Sequence, residues 1–426
     1  MSAAWLLSER HNVTVYEQEN RLGGHSHTVD APGLDGGVPT PVDTGFIVYN
    51  DTNYPNLVAL FDHLKVPTKA SDMSFAVSVD NGRLEYGTST MGELFAQWRN
   101  VARPRFWSML RDLMRFYREA PEFREDGDAI ASLGDYLDRG KYGRAFQNDH
   151  LLPMAAAVWS TPAGRIRDYP AAAMIRFCNN HGLLKVNGRP QWRTVDGGSR
   201  EYVSRLTASY ADRVKIGRGA RYVTRMPSGF VAITDSAAQI AHFDHVVIAA
   251  HGDQALAMLS DPSADESALL GAFQYTRNET ILHTDKALMP KRKAIWSSWN
   301  YLARTGDGAK PPCVTYWMNR LQSIPESNPL FVTLNPIKPP RPDSVIRTEL
   351  YEHPIFDEGA IRAQRSLWQL QGQRNTWFCG AYFGSGFHED GLQAGLAVAE
   401  ALGGGRRPWD VPDESGRIHL APALAA

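Results

Sequence analysis

Apolar residues along this chain fall into two patterns: short β-branched runs bounded by turn residues, and longer stretches with helical spacing. Val13-Thr14-Val15-Tyr16 suits a buried parallel strand, and Glu17 closes it. Ser2 to Ser8, ahead of the His11-Asn12 break, carries the small and apolar residues of a helix packed closely on a sheet. Between 213 and 250, four runs predict strands separated by Gly, Ser and Asp turns: Val214-Lys215-Ile216, Tyr222-Val223-Thr224-Arg225, Phe230-Val231-Ala232-Ile233 and Val246-Val247-Ile248-Ala249-Ala250. Thr376 to Ala381 predicts another strand, followed by a glycine-rich loop over 384–388 and a small-residue helix that starts near Gly391. From Trp98 to Arg118, Phe106, Met109, Leu110, Leu113, Met114, Phe116 and Tyr117 recur at helical spacing. The stretch 49–192 is helical in pattern overall, and 256–371 is mixed.

Helix, turn, strand and acid make the second half of a βαβ unit, with Glu17 placed to accept the hydroxyls of an adenosine ribose. The G-x-G-x-x-G of such a unit lies about 20 residues before the acid, which here falls ahead of Met1. Gly217-Arg218-Gly219 and Gly384-Ser385-Gly386 lack the third glycine. The expectation is therefore a chain shortened at its N-terminus, without the first strand and glycine loop, that binds its dinucleotide weakly and tends to aggregate.

After Glu17, Arg21-Leu22-Gly23-Gly24 with a hydroxyl at Ser26 or Thr28 resembles the R-x-G-G-x-x-S/T signature of flavoproteins of the amine oxidase and phytoene desaturase superfamily. The resemblance implies bound FAD, with Gly23 and Gly24 letting the backbone approach the pyrophosphate and Arg21 supporting the loop. The strands of 213–250 resemble that family's small β-meander, which implies adenine contact near Ala220. Gly380, then Gly391-Leu392-Gln393, resemble its C-terminal motif, which implies contacts to the ribityl chain and the flavin pyrimidine edge. Phrases such as Asp43 to Asn50, Trp159-Ser160-Thr161-Pro162, Asn180 to Leu184, Gly197 to Tyr202 and Gly386 to Gly391 are similar to ones that recur in a bacterial subgroup of NAD/FAD-binding proteins. The implied fold is α/β: a Rossmann-like FAD-binding domain (1–48, 193–255 and 372–403) interleaved with an α+β substrate domain (49–192 and 256–371). A loose tail follows over 404–426.

A 426-residue chain with 43% hydrophobic residues can bury a large core. A net charge of −1 provides no field for nucleic acid or for an anionic membrane acting on the whole surface. Three cysteines, Cys178, Cys313 and Cys379, have no metal-ligand spacing and read as free thiols. Met1 to Ser8 lacks the basic region of a signal peptide, and no apolar stretch approaches the length of a membrane span, so the cytoplasm is the default. Oligomeric state is left open. One segment has a local charge of its own: Arg99, Arg103, Arg105, Arg111, Arg115 and Arg118 surround the periodic run at 98–118, with Asp112 the only acid between 99 and 118. Such a helix can lie on a membrane surface and admit a lipid, but the ordinary expectation is a helix with its apolar face in the core.

The flavin reading implies removal of hydride from a carbon substrate: an amine, a polyene or a fatty acyl chain, with the aromatic helical segment leaning to a lipid. His388 is the one catalytic candidate, set with Glu389 against the commoner role of a helix-start residue as a cap. His181, His283 and Trp159 are candidates for a pocket or for packing, and Lys286, Lys291 and Lys293 read as a solvated face. No metal site is expected. The alternatives are a non-catalytic remnant of a flavoprotein, or an NAD-dependent dehydrogenase in which the Arg21-Gly23-Gly24 and Gly391 segments have no role.

Overall fold

The computed structural model describes residues 1–33, 36–123, 131–185 and 188–420. The run at 13–16 narrows to a two-residue strand, β1 (Val15–Tyr16), which pairs in parallel with β9 (Val214–Lys215). The sequence groups 214–216 with the meander. Instead the chain leaves β9 at Gly217, where a φ of 66° turns it towards the next sheet. The meander is β10 (Ala220–Arg225), β11 (Val231–Asp235) and β12 (Ile240–Phe243), antiparallel in that order. Strand β12 escapes the sequence reading because it has one β-branched residue and lies largely exposed. As expected, β13 (Val246–Ile248) returns to a parallel layer, pairing with β19 (Thr376–Phe378).

The helices on this side are α1 (Ser2–Leu7) and α7 (His388–Ala401), which pack together. Gly395 allows the contact, because a Cβ there would overlap the Ser2 hydroxyl. Helix α7 begins at His388 rather than near Gly391. The Asp390 carboxylate accepts the amides of Phe387 (2.7 Å) and Ser385 (3.1 Å) and so starts the helix early.

The hairpin β2 (Thr28–Ala31) and β3 (Thr40–Asp43) follows β1, and β4 (Tyr49–Asn50), β8 (Trp192–Val195) and β5 (Thr68–Ser71) form a small antiparallel sheet. A seven-stranded mixed sheet has the order β18 (Val345–Ile355), β14 (Gln274–His283), β17 (Phe331–Leu334), β16 (Cys313–Trp317), β15 (Trp299–Ala303), β6 (Phe75–Val79), β7 (Leu84–Gly87). The stretch 49–192 is thus not purely helical. Its strands β6 and β7 complete a sheet whose other members come from 274–355, which local periodicity cannot reveal.

Its helices include α2 (Pro55–His63), α3 (Pro104–Glu119), α4 (Leu152–Trp159) and α5 (Ala171–Asn180), and α6 (Arg200–Thr207) follows β8. Pro104 starts α3 afresh, so Trp98–Ala102 is a separate helical turn rather than part of it. The inner face of α3 buries Phe106, Met109 and Phe116, as the core reading expects.

The tail is not loose over 404–420. Arg407, fully buried, forms a two-pronged pair with Glu400 (2.8 and 2.9 Å) and donates to Asn56 Oδ1 and the Glu414 carbonyl. Trp409 stacks on Trp5 at 5.8 Å. A Gly-Arg-Pro composition reads as linker, but the buried Arg407, the Trp409 stack and the Arg417–Asp390 pair (3.2 Å) hold this segment to the body. Residues 421–426 lie outside the described residues. Among the described residues, no helix is long and apolar enough to cross a membrane.

Candidate functional site

The loop after β1 has the backbone form that its glycines allow. Gly23 has φ 116° and Gly24 φ 55°. A Cβ on Gly23 would stand 2.6 Å from the Ser26 carbonyl oxygen, whereas one on Gly24 would meet open space. Arg21 holds the loop, donating to the Gly24 carbonyl (2.8 Å) and pairing with Glu19 (2.9 Å). The half-buried Glu17 accepts the Glu19 amide at 2.9 Å, and burial raises its carboxyl above the usual range. Its main chain binds the meander entrance, with Arg218 N–H donating to the Glu17 carbonyl (2.8 Å) and Gly217 N–H to the Glu19 carbonyl (2.9 Å). Ala220, two residues on, opens β10. The structure therefore brings Glu17, Arg21, Gly23, Gly24 and the start of β10 to one place.

The C-terminal residues lie at the carboxyl ends of β13 and β19, where α/β sheets hold their ligands. Gly380 packs between the Tyr382 ring (2.7 Å) and the Ala250 carbonyl (3.4 Å), measured from the Cβ it lacks. Close by, the buried Tyr382 hydroxyl has no partner among the described residues, and His251 Nδ1 stands 3.6 Å from Glu352, beyond hydrogen-bond reach. Gly391 faces Ala381, and Leu392 is buried. The Gln393 side chain turns the other way, donating to Glu389 (3.0 Å) and accepting the Arg417 amide (3.1 Å). The first amides of α7, those of His388 and Glu389, have no intrahelical acceptor.

His388 is half-buried in a cluster of hydroxyls. Its Nε2 lies 2.5 Å from the Tyr202 hydroxyl and 3.1 Å from that of Ser26, which also bonds Tyr202, and its ring stacks on Phe46 at 4.0 Å. Burial pushes its imidazole down to about 3, so it is neutral. Glu389 caps a different helix: its carboxylate accepts the amides of Asn56 (3.0 Å) and Leu57 (3.0 Å) at the start of α2, as well as Asn56 Nδ2 (2.8 Å). Asp43, pushed up to about 6 by burial, joins the hairpin to α6 by accepting Thr28 Oγ1 (2.6 Å) and the Ser199 amide (2.9 Å).

Phe387, the residue before α7, is the corner where this crevice meets an aromatic wall. Phe387 stacks on Phe177 at 4.8 Å, Phe177 on His181 at 3.9 Å, and Trp159 lies 4.5 Å from Phe177. Trp192 closes the wall 5.9 Å from His181. His181 Nδ1 bonds the Phe177 carbonyl (3.0 Å), its buried Nε2 has no partner among the described residues, and burial lowers its pKa to about 4. His283 lies elsewhere, inside the seven-stranded sheet against Thr333 (2.7 Å). Lys286, Lys291 and Lys293 are exposed.

The model of the flavin containing amine oxidoreductases matches residues 1–322. The chain belongs to that family. It is an FAD-dependent oxidoreductase. Solved structures share its fold at low identity. Cyclohexylamine oxidase from Brevibacterium oxydans IH-35A is 14% identical, with 94% of this chain and 96% of that one covered at a TM-score of 0.65. The CLA-producing fatty acid isomerase from P. acnes is 14% identical, covering 94% and 95% at 0.64. Wild-type putrescine oxidase bound to putrescine is 13% identical, covering 94% and 95% at 0.63. No curated protein matches by sequence.

The residues present fit FAD: an open glycine turn, a half-buried carboxylate, free helix amides and two unpartnered buried polar atoms at the strand ends. Sequence reasoning missed Tyr202 and Phe46, which touch His388, and Asp43, which joins the hairpin to α6. Their signal is spatial: Tyr202 meets Ser26 and His388 across 176 and 186 positions.

Proposed function

We propose that this flavoprotein removes hydride from an aliphatic or unsaturated carbon of an apolar, lipid-like substrate. In this reading 1–48, 193–255 and 372–403 form the FAD-binding side, and 49–192 with 256–371 form the substrate side. Glu17 takes the adenosine ribose; Arg21, Gly23 and Gly24 take the pyrophosphate; Ala220 lies at adenine; Gly380, Gly391 and Leu392 line the flavin's inner end, whereas Gln393, turned to Glu389 and Arg417, stays behind them. When bound, the flavin supplies the hydride acceptor. The amides of His388 and Glu389 favour negative charge at their end of the site, and His388 stays neutral there, a hydrogen-bonding residue rather than a base.

The observation that carries the substrate class is the wall of Trp159, Phe177, His181, Trp192 and Phe387. Four of its five side chains are buried and it would offer aromatic surface, and the acids next to Phe387 in sequence are engaged, Glu389 by α2 and Asp390 by Arg417 at 3.2 Å. A cationic amine against this wall would lose hydration without gaining a counter-ion. The fatty acid isomerase of the same fold supports the reading. The test is anaerobic bleaching of the flavin absorbance by substrate classes. An unsaturated long-chain acyl compound should bleach it while putrescine and cyclohexylamine leave it oxidised. Bleaching by the amines alone would overturn the proposal.

A further inference from the structure

Helix α3 and the helical turn before it present apolar side chains to solvent as well as to the core. Trp98 is 73% exposed, Val101 51%, Trp107 49% and Met114 56%. Of the chain's 11 tryptophans, Trp98 and Trp107 are the only exposed ones, and they are neighbours in this one segment. The patch is continuous: Trp107 Nε1 donates to the Val101 carbonyl (2.8 Å), and Phe95 lies 5.8 Å from the Trp107 ring. Trp107, Arg111, Met114 and Arg118 follow at helical spacing and are all exposed, so they form one outward stripe opposite the buried Phe106, Met109 and Phe116.

Charge separates this patch from another group of exposed apolar residues, Tyr222, Phe230 and Ile240 on the meander. Over 91–118 the sequence has six arginines against Glu93 and Asp112. Asp112 is buried, accepts the Gly143 amide at 2.7 Å and lies 3.6 Å from Arg111, whose side chain stays exposed, while Arg105 pairs with Asp149 (2.7 Å) and Arg118 with Glu119 (3.2 Å). Arg99 lies over the Trp98 ring at 5.7 Å with no ion-pair partner among the described residues. Exposed tryptophans ringed by arginines match the region where acyl chains meet phosphate headgroups, since the indole has an apolar body and a polar N–H and the guanidinium pairs with phosphate.

We propose that Trp98, Val101, Trp107 and Met114, with Arg99 and Arg111, form a docking surface for an anionic lipid bilayer. The protein seats in the membrane interface, without crossing it, and the arginines select anionic headgroups. The inference stands on this surface alone and does not depend on the substrate class.

The test is co-sedimentation of the FAD-loaded full chain with vesicles of phosphatidylglycerol and phosphatidylcholine, beside pure phosphatidylcholine, at low and high salt. We expect partition at least about tenfold stronger on the anionic vesicles, weakened by salt. The pair Trp98→Ser and Trp107→Ser, and separately Arg99→Glu with Arg111→Glu, should each reduce it about tenfold at unchanged flavin content. Ile240→Ser on the meander should leave it intact. Absence of partition on anionic vesicles, or partition that the tryptophan pair does not change, would overturn the proposal. So would a concentration-dependent dimer that the same pair dissolves in the absence of any vesicle binding, because the occupant would then be a second copy.

Discussion

The proposed flavin crevice and the aromatic wall share Phe387 but are built on different principles. The crevice is a backbone structure. Positive-φ Gly23 and Gly24, the close fit of Gly380 against Tyr382, and the first amides of α7 define it, and side chains such as Arg21 mainly hold the backbone in place. The wall is made of side chains, Trp159, Phe177, His181, Trp192 and Phe387, carried by α4, α5, β8 and the residues next to α5 and α7. Under the proposed function, one cofactor of fixed shape calls for the first kind of site and a variable substrate for the second. Single changes should therefore separate the two, except where one residue belongs to both.

Phe387 is that residue, and Glu389, two positions on, ties α7 to the start of α2, so its loss should have the largest effect. Glu389→Ala leaves the donors of Asn56, Leu57 and Gln393 without an acceptor in a buried place, a cost of about 4 kcal/mol. Urea unfolding followed by flavin fluorescence and by tryptophan fluorescence should show both transitions shifting together. If only one shifts, the two sides are not tied through this carboxylate.

Gly23→Ala acts on the crevice alone. The Cβ meets the Ser26 carbonyl in a conformation that L-residues avoid, costing about 2 kcal/mol and most of the flavin. The intrinsic fluorescence of the wall should be unchanged.

The crevice also carries a pH signature. Burial holds His388 at about 3 against the ordinary 6.5, so the unfolded chain takes up the proton first as pH falls. The stability linked to His388 is complete above about 6.5 and is lost towards 3, with a slope of up to about 1.4 kcal/mol per pH unit. His25, pushed down to about 4, acts in the same sense, whereas Asp43, raised to about 6, opposes it between 3.8 and 6. Thermal melts of His388→Asn should show a shallower acid limb than the parent. An identical limb would mean that His388 titrates freely in the fold.

The smallest effect belongs to the wall. Phe177→Leu should cost about 1 kcal/mol and keep the flavin, yet slow its reduction by an apolar substrate. Flavin loss in this variant would blur the division between the two regions.

The same difference explains what the sequence shows. Glycines at fixed spacing, the acid after β1 and the Arg21 loop are visible in a linear string because the backbone demands those residues there. The wall is visible only in part: Trp159 and His181 stand out as candidates for a pocket or for packing, but their meeting with Phe177 and Phe387 arises only when the chain folds, and aromatic residues at helical spacing look alike in a core and in a pocket. For the same reason β6 and β7 read as helical surroundings and Arg407 as part of a linker. Each depends on partners hundreds of positions away, β15 for the strands and Asn56 for the arginine.

The central claim is that the segment from Glu17 to Gly24 holds the adenosine and pyrophosphate of FAD. FMN lacks the adenosine, so the most direct measurement is the affinity of the flavin-stripped protein for FAD and for FMN, in the parent and in Glu17→Ala. The account predicts that the parent binds FAD well ahead of FMN and that Glu17→Ala removes most of that preference. Equal binding of the two flavins by the parent, or an unchanged preference in the variant, would contradict it.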